Sequence, residues 1–321
     1  MSVFLITGGA GFIGSHLARA LTARGDDVVV LDNLSTGRRE NLRPAEAGPG
    51  RLKFIAGDMR DADVCARAME GVDYVLHQAA RANVQRSIEN PLLTNQVNVE
   101  GGLNVLNAAR QAGVKRLVNA GSSSVYGDRE PVDAPKVESM DPLPRSPYAA
   151  SKLALEDYCK VFTHVYGMET VTLRYFNVFG PRQDPESQYA AVIPRFLFSL
   201  LAGEPPVIFG DGRQARDFTY IDNVVAANLA AIEAPGAAGE TINVAGGKSH
   251  DLLELLAILQ QHTGRNDIQP RFAPARAGDV RYSLADLTKA KRLLGYEVTV
   301  DFAEGLARVV KLAMEGEYLA R

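Results

Sequence analysis

The N-terminal segment constrains the fold more than any other part of the chain. A short apolar run at 2–7 leads into Gly8-Gly9-Ala-Gly11-Phe-Ile-Gly14, and helix-like sequence follows at 12–24. A strand, a glycine-rich turn and a helix in this order suit a dinucleotide pyrophosphate, because glycines let backbone N–H groups approach phosphate and the helix dipole favours an anion. Such glycines also occur in turns for steric reasons alone. The candidate cofactor residues in this segment are Gly8, Gly11, Phe12, Ile13 and Gly14.

The second strand indicates which dinucleotide is bound. The run 27–31 is apolar and ends in Asp32, eighteen positions after Gly14. A carboxylate at this strand end accepts hydrogen bonds from both hydroxyls of an adenosine ribose and repels a 2′-phosphate, which favours NAD over NADP. Arg38 and Arg39 weaken this choice, and an ordinary turn residue is the alternative for Asp32. NAD is the predicted cofactor, with Asp32 and Asn33 in its site.

Composition excludes several classes of protein. The 321 residues carry a net charge of −3, which provides no basic surface for nucleic acid or an anionic membrane. No segment reaches the roughly 18 apolar residues of a membrane span, and the N-terminal run lacks the features of a signal peptide. Cys65 and Cys159 form neither a metal-type nor a redox pair. We therefore expect a cytoplasmic protein with buried thiols, no metal site and no nucleic-acid or membrane partner.

Strand-like and helix-like segments alternate over the first half of the chain. This alternation predicts an α/β fold with a doubly wound, Rossmann-type parallel sheet. The predicted strands are 2–7, 27–31, 52–56, 73–77, 115–120 and 169–174. The predicted helices are 12–24, 61–70, 92–112 and 147–166, followed by 222–233, 251–262, 286–294 and 302–316.

The remainder of the chain is less regular and rich in proline. We expect 1–174 to form a NAD-binding Rossmann domain, with returning segments near 217–245. Residues 175–216 and 246–321 are expected to form a smaller, mixed α/β substrate domain. No flexible linker separates the two parts, so they should pack together with a cleft between them. Ligands of open α/β sheets bind at the carboxyl ends of the strands.

Two further strand ends carry candidate cofactor contacts. Asp58, after the third strand, could bond the adenine amino group while Met59 packs beside the ring; a simple turn is the alternative. After the fourth strand, Ala79 and Ala80 are small enough for a flat cofactor to approach. His77 precedes them and is interpreted as a core histidine rather than a base.

A serine cluster and a tyrosine–lysine pair carry the chemistry. Ser122, Ser123 and Ser124 follow the fifth strand, and Tyr148 and Lys152 are four residues apart, on one face of a helix. A lysine ammonium, and a positively charged nicotinamide ring, would lower the tyrosine pKa from about 10 toward neutrality. The tyrosine could then act as a general base, with a serine hydroxyl on the same substrate oxygen. A Tyr-x-x-x-Lys pair alone also occurs by chance on solvated helices.

At this point the chain resembles an extended short-chain dehydrogenase/reductase, and within that family the nucleotide-sugar 4-epimerases of the UDP-galactose/UDP-N-acetylglucosamine type. The resemblance spans nearly the whole chain. Besides the motifs above, it includes Arg174-Tyr-Phe-Asn177-Val-Phe-Gly-Pro181, Arg216-Asp-Phe-Thr-Tyr-Ile-Asp222 and Ala277-Gly-Asp279-Val-Arg-Tyr-Ser283-Leu-Ala-Asp286. These motifs are specific to nucleotide-sugar enzymes.

The resemblance implies a mechanism. Tyr148 would take the proton of the sugar 4-hydroxyl while C4 passes its hydride to NAD; the 4-keto sugar turns over, and the hydride returns to the opposite face. Ser122 matches the catalytic Ser/Thr of the family, with Ser123 and Ser124 as auxiliary hydroxyls. Lys152 would bond the nicotinamide ribose and tune Tyr148. The implied cofactor contacts also include Tyr148, Lys152, Asn98 and Tyr175.

The same resemblance supplies a site for a UDP-sugar. Asn177 matches a contact to the diphosphate region, Arg216 and Arg276 match residues gripping the diphosphate, and Asp279 matches a carboxylate on the uridine ribose. Guanidinium geometry suits paired phosphate oxygens. The run 207–209 would contribute the uracil pocket, largely through backbone groups. The set is completed by Val192, Val207, Phe209 and Ser283.

Two departures from the family pattern bear on function. Ala82 stands where galactose-type members often carry a lysine, which puts one pyrophosphate contact in doubt. Ser283 stands where members restricted to non-acetylated sugars carry a bulky tyrosine, so a C2 N-acetyl group has room. We therefore expect interconversion of UDP-GlcNAc and UDP-GalNAc as well as UDP-glucose and UDP-galactose.

Other readings of the motifs stay open. A 4,6-dehydratase needs an Asp-Glu pair where this chain has Ser123 and Ser124, and a related decarboxylase needs a glutamate at Ser124. A C2 epimerase shares the scaffold. A non-catalytic dinucleotide sensor typically loses the tyrosine or the lysine, and a plain dehydrogenase would release NADH in each cycle.

Family resemblance also implies a homodimer, with the helices near 92–112 and 147–166 forming a four-helix interface. The apolar positions of these helices could equally pack against the sheet of the same chain.

Overall fold

The computed structural model describes residues 1–128, 133–185, 191–275 and 281–319. Its strands are β1 (Val3–Thr7), β2 (Asp27–Asp32), β3 (Leu52–Ala56), β4 (Tyr74–His77), β5 (Arg116–Ser122), β6 (Glu169–Tyr175), β7 (Val178–Phe179), β8 (Val207–Phe209), β9 (Ala215–Asp217), β10 (Thr219–Tyr220), β11 (Thr241–Val244), β12 (Ser249–Asp251) and β13 (Arg271–Ala273). Its helices are α1 (Phe12–Ala23), α2 (Arg43–Glu46), α3 (Ala62–Ala68), α4 (Val84–Glu89), α5 (Pro91–Asn95), α6 (Gly102–Gln111), α7 (Pro147–Tyr166), α8 (Val192–Leu201), α9 (Ile221–Glu233), α10 (Leu252–Thr263), α11 (Thr288–Leu294) and α12 (Phe302–Met314).

Seven strands form one parallel sheet in the order β11-β6-β5-β4-β1-β2-β3. The chain builds outward from β1 in one direction through β2 and β3, and in the other through β4, β5 and β6. The order therefore reverses between β1 and β4, where the connections leave in opposite directions and open a crevice at the carboxyl ends. The doubly wound, Rossmann-type fold is confirmed.

Alternating side chains of the strands pack into two separate hydrophobic cores, one on each face of the sheet. Phe4 and Ile6 pack into the core that α1 and α9 cover, whereas Leu5 between them packs into the core that α3, α6 and α7 cover. Successive side chains of a strand point to opposite faces, so a strand between two helical layers needs apolar residues on both faces, as Phe4, Leu5 and Ile6 show. The sheet therefore fixes the strand ends rigidly between two helical layers.

The predicted helix at 92–112 is divided in the structure. Helix α5 ends at Asn95, a π-helical stretch covers Gln96–Gly101, and α6 continues from Gly102. Within the π-helical stretch, the buried Asn98 accepts a hydrogen bond from Arg81 N at 2.7 Å and donates one to Ser151 Oγ at 2.9 Å. Such π-helical turns are common at functional sites, and this one joins the segment after β4 to α7.

Helix α7 begins and ends where its sequence dictates. Ser146 accepts a hydrogen bond from Ala149 N at 3.1 Å as the N-cap, and Pro147 occupies the first helical position. Gly167 ends the helix in the left-handed conformation. These signals place Tyr148 in the first turn, next to the end of β5.

The rest of the chain forms small, mixed elements beside the carboxyl ends of the sheet. Strands β7 and β10 pair in parallel, as do β8 and β13, whereas β9 and β12 are antiparallel. The sequence did not predict α2, α4, α8 or these short strands, since two- and three-residue strands have no detectable periodicity. No helix in the described part of the chain is both long and apolar enough to cross a membrane. The boundaries of the two domains stay a prediction.

Candidate active site

The glycine-rich turn leaves no room for larger residues. Gly8 has a φ of +68°, and a Cβ there would lie 2.7 Å from the backbone N and Cα of Ala79. A Cβ at Gly14 would lie 2.7 Å from Gly9 Cα. Helix α1 follows with Gly11 at its N-cap and no side chain capping its first N–H groups. These groups are therefore positioned to donate to a phosphate anion.

Asp32 lies at the end of β2 beside this turn. Its carboxylate accepts hydrogen bonds from Ala10 N at 3.0 Å and Leu34 N at 2.8 Å. Burial raises the pKa of Asp32, and these two bonds oppose the rise. Each carboxylate oxygen keeps a second lone pair, so the group retains capacity for ribose hydroxyls.

The next strand ends place the other predicted cofactor residues around the same edge. Asn33 Nδ2 donates to Asp58 at 2.9 Å, and the Arg60 guanidinium binds both oxygens of Asp58, which lowers its pKa. Met59 is buried against the core. Ala79 N donates to Thr7 Oγ1 at 3.3 Å, which fixes the segment of Ala79 and Ala80 against β1.

His77 is part of the core. Its Nδ1 lies 2.7 Å from Thr7 Oγ1, and burial lowers its pKa to about 3. A histidine that stays neutral down to this pH is a poor proton acceptor at neutral pH. The interpretation of His77 as a core residue is confirmed.

A cleft of about 360 Å³ opens at the carboxyl ends of β5 and β6. It brings together residues that are distant in the sequence, from the serine cluster to the 281–284 region. The predicted site residues that line it are Ile13, Ser122, Ser123, Ser124, Tyr148, Tyr175, Asn177, Arg216 and Ser283.

Ser122 and Tyr148 line this cleft together, and Lys152 lies one helical turn after Tyr148. The Ser122 side chain is hydrogen-bonded to the Tyr148 hydroxyl and lies 2.9 Å from Ser124 Oγ. Lys152 is buried, and its Nζ donates to the carbonyl of Ala120 on β5 at 2.8 Å. The end of β5 and the first turns of α7 thus hold Ser122 and Tyr148 together, with Lys152 one turn further along the helix and bonded to β5.

Protein groups alone do not lower the tyrosine pKa. Burial raises the pKa of Tyr148, and only the bond from Ser122 opposes this rise. Burial lowers the pKa of Lys152 to about 8, so its ammonium form still predominates at pH 7. The expected shift toward neutrality therefore needs a further positive charge near the phenol, because desolvation penalises the phenolate.

The opposite wall of the cleft is built around Asn177 and Ser283. Asn177 has a φ of +30°, and its Nδ2 donates to Asp217 O at 3.1 Å and to Ser283 Oγ at 3.2 Å. Ser283 Oγ also accepts from Asp217 N at 3.2 Å. Arg216, whose Nη1 donates to Ala215 O, presents its guanidinium along the same wall.

Several predicted residues lie elsewhere. Val192 begins α8, and Val207 and Phe209 lie on β8; none of the three lines the cleft. Arg276 and Asp279 fall outside the described residues. Tyr175 lines the cleft, and its hydroxyl donates to Asn228 at 3.1 Å, while burial raises its pKa to about 12.

Asp217 was missed by sequence reasoning. It is fully buried and accepts hydrogen bonds from the backbone N–H groups of Gly246, Gly247 and Ala285 at 2.8 to 3.2 Å. Burial raises its pKa to about 7 against these bonds. The available signal was its position beside Arg216 in a recognised motif. Other unpredicted residues that line the cleft are Tyr126, Lys136, Arg145, Phe176 and Tyr282.

These residues fit a bound NAD. The turn at Gly8 admits only a backbone without Cβ, α1 presents uncapped N–H groups, and Asp32 stands where an adenosine ribose would lie. NAD would thus run from Asp32 across the start of α1 to the region of Tyr148 and Lys152. The fold and site define an NAD-binding member of the extended short-chain dehydrogenases/reductases.

Comparison with known proteins makes this assignment specific. Residues 4–245 match the NAD dependent epimerase/dehydratase family, and the chain belongs to that family, among the nucleotide-sugar 4-epimerases. It is similar to a putative UDP-glucose 4-epimerase of Methanocaldococcus jannaschii, with 39% identity over 96% of this chain and 97% of that protein.

Two solved structures are similar over almost their full lengths. The UDP-N-acetylglucosamine 4-epimerase of Methanobrevibacter ruminantium, in complex with UDP-N-acetylmuramic acid, has a TM-score of 0.92 and 40% identity, covering 98% of this chain and 99% of that chain. The UDP-glucose 4-epimerase of Thermus thermophilus, in complex with NAD, has a TM-score of 0.87 and 37% identity, covering 98% of both chains.

Proposed function

We propose that this protein is a UDP-hexose 4-epimerase that inverts the sugar C4 hydroxyl and leaves no net change in its bound NAD. The observation that carries the proposal is the hydrogen bond between Ser122 and Tyr148, in a cleft that continues to Arg216. When bound, NAD supplies the oxidation and the reduction at C4. The residues of the chain supply binding, orientation and proton transfer.

Tyr148 is the proposed acid–base group. The 4-hydroxyl of the sugar would occupy the space between the phenol of Tyr148 and the hydroxyl of Ser122, within hydrogen-bond reach of both. Tyr148 then receives the hydroxyl proton as C4 is oxidised and returns it as C4 is reduced. Lys152, fixed by its bond to Ala120, would bond the nicotinamide ribose of a bound NAD.

The nucleotide part is proposed to lie along the Asn177 wall. Arg216 would grip the diphosphate, because a planar guanidinium pairs with two phosphate oxygens. Residues 175–216 and 246–321 would then serve as the substrate domain over the NAD-binding domain at 1–174. Arg276, Asp279, Val192, Val207 and Phe209 remain proposed contacts to the diphosphate, the uridine ribose and the uracil.

We propose that both acetylated and non-acetylated sugars are accepted. Ser283 is small, and its hydroxyl is held by Asn177 and by Asp217 N. A C2 N-acetyl group would have room next to it. A tyrosine at this position would fill that space.

A dehydratase or a decarboxylase fits the cleft less well. Elimination across C5–C6 needs an acid–base pair next to the catalytic serine, and a hydroxyl cannot replace a carboxylate in that role. Ser123 and Ser124 occupy those positions and line the cleft. A C2 epimerase is the remaining alternative within the family, because it shares the scaffold.

A homodimer and a cytoplasmic location stay proposals. The exposed face of α7 and the start of α5 carry large apolar side chains, which suits an interface with a second copy. These residues are Leu92, Tyr158, Val161 and Val165. Sedimentation of the purified protein would test the dimer, and a monomer at micromolar concentration would contradict it.

A panel of nucleotide sugars tests the proposed function. Purified protein is incubated with UDP-glucose, UDP-galactose, UDP-GlcNAc and UDP-GalNAc separately, and the configuration at C4 is read by proton NMR. We expect each pair to reach the same mixture from either side. Inversion at C2, loss of water, or stoichiometric formation of NADH would contradict the proposal.

A further inference from the structure

We propose that Asp217 is a positioning residue for the substrate. Its buried carboxylate holds together the chain segments that form the Asn177 wall, which consists of Asn177, Arg216 and Ser283. Asp217 itself is not among the described residues that line the cleft, so it acts through these three. This inference rests on the proposed function, since it assumes that a nucleotide sugar lies along this wall.

The carboxylate of Asp217 joins three separate parts of the chain. The residue is fully buried at the end of β9. Its Oδ1 accepts hydrogen bonds from Gly246 N at 2.8 Å and Gly247 N at 3.1 Å, just after β11, and its Oδ2 accepts one from Ala285 N at 3.0 Å. An ionised carboxylate is an acceptor only, so both of its oxygens match these donors. The segment after β11 and the segment after Ser283 are therefore held to the end of β9.

Two glycines let the segment after β11 approach this carboxylate. A Cβ on Gly246 would lie 3.2 Å from Asp217 Oδ1 and 2.5 Å from Phe218 O. Gly247 has a φ of +74°, a conformation that residues with a side chain rarely adopt. Successive backbone N–H groups in a turn can form a concave site for an anion. Here the anion is a side chain of the same protein, so this turn fixes where Asp217 lies.

The backbone of Asp217 bonds two side chains of the Asn177 wall. Its N–H donates to Ser283 Oγ at 3.2 Å, and its carbonyl accepts from Asn177 Nδ2 at 3.1 Å. Asn177 Nδ2 also donates to Ser283 Oγ at 3.2 Å, which links the three residues in a ring. Asn177 has a φ of +30°, and strained backbone of this kind persists only where the surrounding structure holds it. The position of Asp217 therefore determines where these wall side chains lie.

A purely structural role for Asp217 is the competing account. Loss of the carboxylate would then lower stability, and its effect on substrate binding would not depend on Ser283. If Asp217 acts through the Asn177 wall, its effect on substrate binding must depend on Ser283. Residues in contact show non-additive effects when both are changed, whereas the effects of distant, independent sites add. The two accounts therefore differ in the coupling between Asp217 and Ser283.

A double-mutant cycle of Asp217→Asn and Ser283→Ala measures this coupling. Asparagine keeps the shape of aspartate but replaces one acceptor oxygen with an amide donor, which cannot bond a backbone N–H. Dissociation constants for UDP-GlcNAc are measured by calorimetry in the Tyr148→Phe background, where turnover is suppressed. Asp26→Asn is the matched control, because Asp26 is a buried carboxylate that accepts from Ser2 N at 3.0 Å, before β2 and at the amino ends of the sheet strands.

We expect Asp217→Asn to weaken UDP-GlcNAc binding about tenfold, as loss of a buried hydrogen bond does, with the NAD content unchanged. Ser283→Ala alone should weaken binding roughly three- to tenfold, because it releases Asn177, and it should add little in the double variant. Asp26→Asn should leave the affinity unchanged. In proteins that keep Tyr148, Asp217→Asn should raise KM by a larger factor than it lowers kcat. Additive losses, or a single variant at Asp217 or Ser283 that binds as tightly as the background protein, would overturn the inference.

Gly247→Ala tests the same contact if Asp217→Asn does not fold. It keeps the carboxylate but strains one of its N–H donors. Gly264→Ala is the control, because Gly264 has a φ of +71° and open space around it. We expect Gly247→Ala to bind UDP-GlcNAc more weakly than Gly264→Ala, and equal affinities would overturn the inference.

Failure of this inference differs from failure of the proposed function, because affinity is measured apart from turnover. Inversion at C4 by the wild-type protein together with additive losses in the cycle would refute the role of Asp217 alone. Coupled losses of affinity without inversion at C4 by the wild-type protein would support the role of Asp217 and refute the epimerase proposal alone.

Discussion

The hydroxyl of Tyr148, in the first turn of α7, is hydrogen-bonded to the side chain of Ser122 at the end of β5. The N-cap of α7 fixes the position of Tyr148, and the buried strand β5 fixes the position of Ser122. The distance between the two side chains therefore depends on how α7 packs against the sheet. Burial raises the pKa of this phenol, and the hydrogen bond opposes the rise. Tyr148 therefore stays protonated in the protein alone, and a further positive charge nearby would favour its phenolate form.

Replacing Tyr148 with phenylalanine should remove the proton acceptor and keep the ring. General acid–base groups contribute roughly 10²- to 10⁴-fold, so we expect kcat to fall by about that factor. Affinity for NAD should change little. Stopped-flow or NMR assays measure the rate, and Tyr158→Phe, on an exposed part of the same helix, is the control. Full turnover by Tyr148→Phe would refute the assigned role.

Substituting alanine for Gly8 should expel the cofactor. The φ of +68° and the 2.7 Å approach of a Cβ to Ala79 both oppose a side chain. We expect a loss of about 1–3 kcal/mol in stability and of most bound NAD. Gly71→Ala is the matched control, because Gly71 has a φ of +71° and open space around it. Similar NAD content in both variants, measured after denaturation, would contradict the proposed phosphate turn.

Enlarging Ser283 to tyrosine should change sugar selectivity. The new side chain would fill the space next to Asn177 and hinder a C2 N-acetyl group. We expect kcat/KM for UDP-GlcNAc to fall at least tenfold more than that for UDP-glucose, which corresponds to about 1.4 kcal/mol of discrimination. Ser283→Ala controls for loss of the hydroxyl alone. Parallel decreases for both sugars would show that this position does not select the acyl group.

His77 should make stability fall in acid. Its pKa is about 3 in the folded protein and near 6.5 when unfolded, so only the unfolded chain binds this proton between those values. The contribution of His77 to the free energy of unfolding is fully present above pH 6.5. It decreases by about 1.4 kcal/mol per pH unit as the pH falls toward 3. Urea unfolding at pH 6.5, 5.5 and 4.5 would measure the slope.

The control for this slope is His262→Gln, since His262 is exposed on α10. His77→Gln should flatten the dependence of unfolding free energy on pH, whatever its effect on absolute stability. An unchanged slope in His77→Gln would mean that other groups cause the acid sensitivity.

The sequence was sufficient for the parts of the fold with strong local signals. The six predicted strands match β1 to β6 within two residues at each end, because each is rich in apolar or β-branched residues. The helix predicted at 147–166 matches α7 at both ends, where the structure shows Ser146 as the N-cap and Gly167 as the C-cap. The strand ends then brought Asp32, Ser122 and Tyr148 to one edge, as a parallel sheet requires.

Long-range pairing accounts for what was missed. A single β-bridge to Ala285 places Lys136 at the cleft, and no pattern in the neighbouring sequence predicts such a contact. Asp217 is a buried carboxylate whose partners are the backbone of Gly246, Gly247 and Ala285. The residues of the π-helical stretch at Gln96–Gly101 continue the helix-like sequence pattern, so the sequence predicts one continuous helix there.

The most direct test of the epimerase account follows a deuterium atom at C4 of UDP-glucose. In the proposed reaction this atom leaves C4 and returns to the opposite face within one turnover, while Tyr148 exchanges only the hydroxyl proton. Mass spectrometry and NMR of the product should show UDP-galactose that retains the label fully, without added NAD. Label lost to water or to released NADH, or product without inversion at C4, would contradict the account.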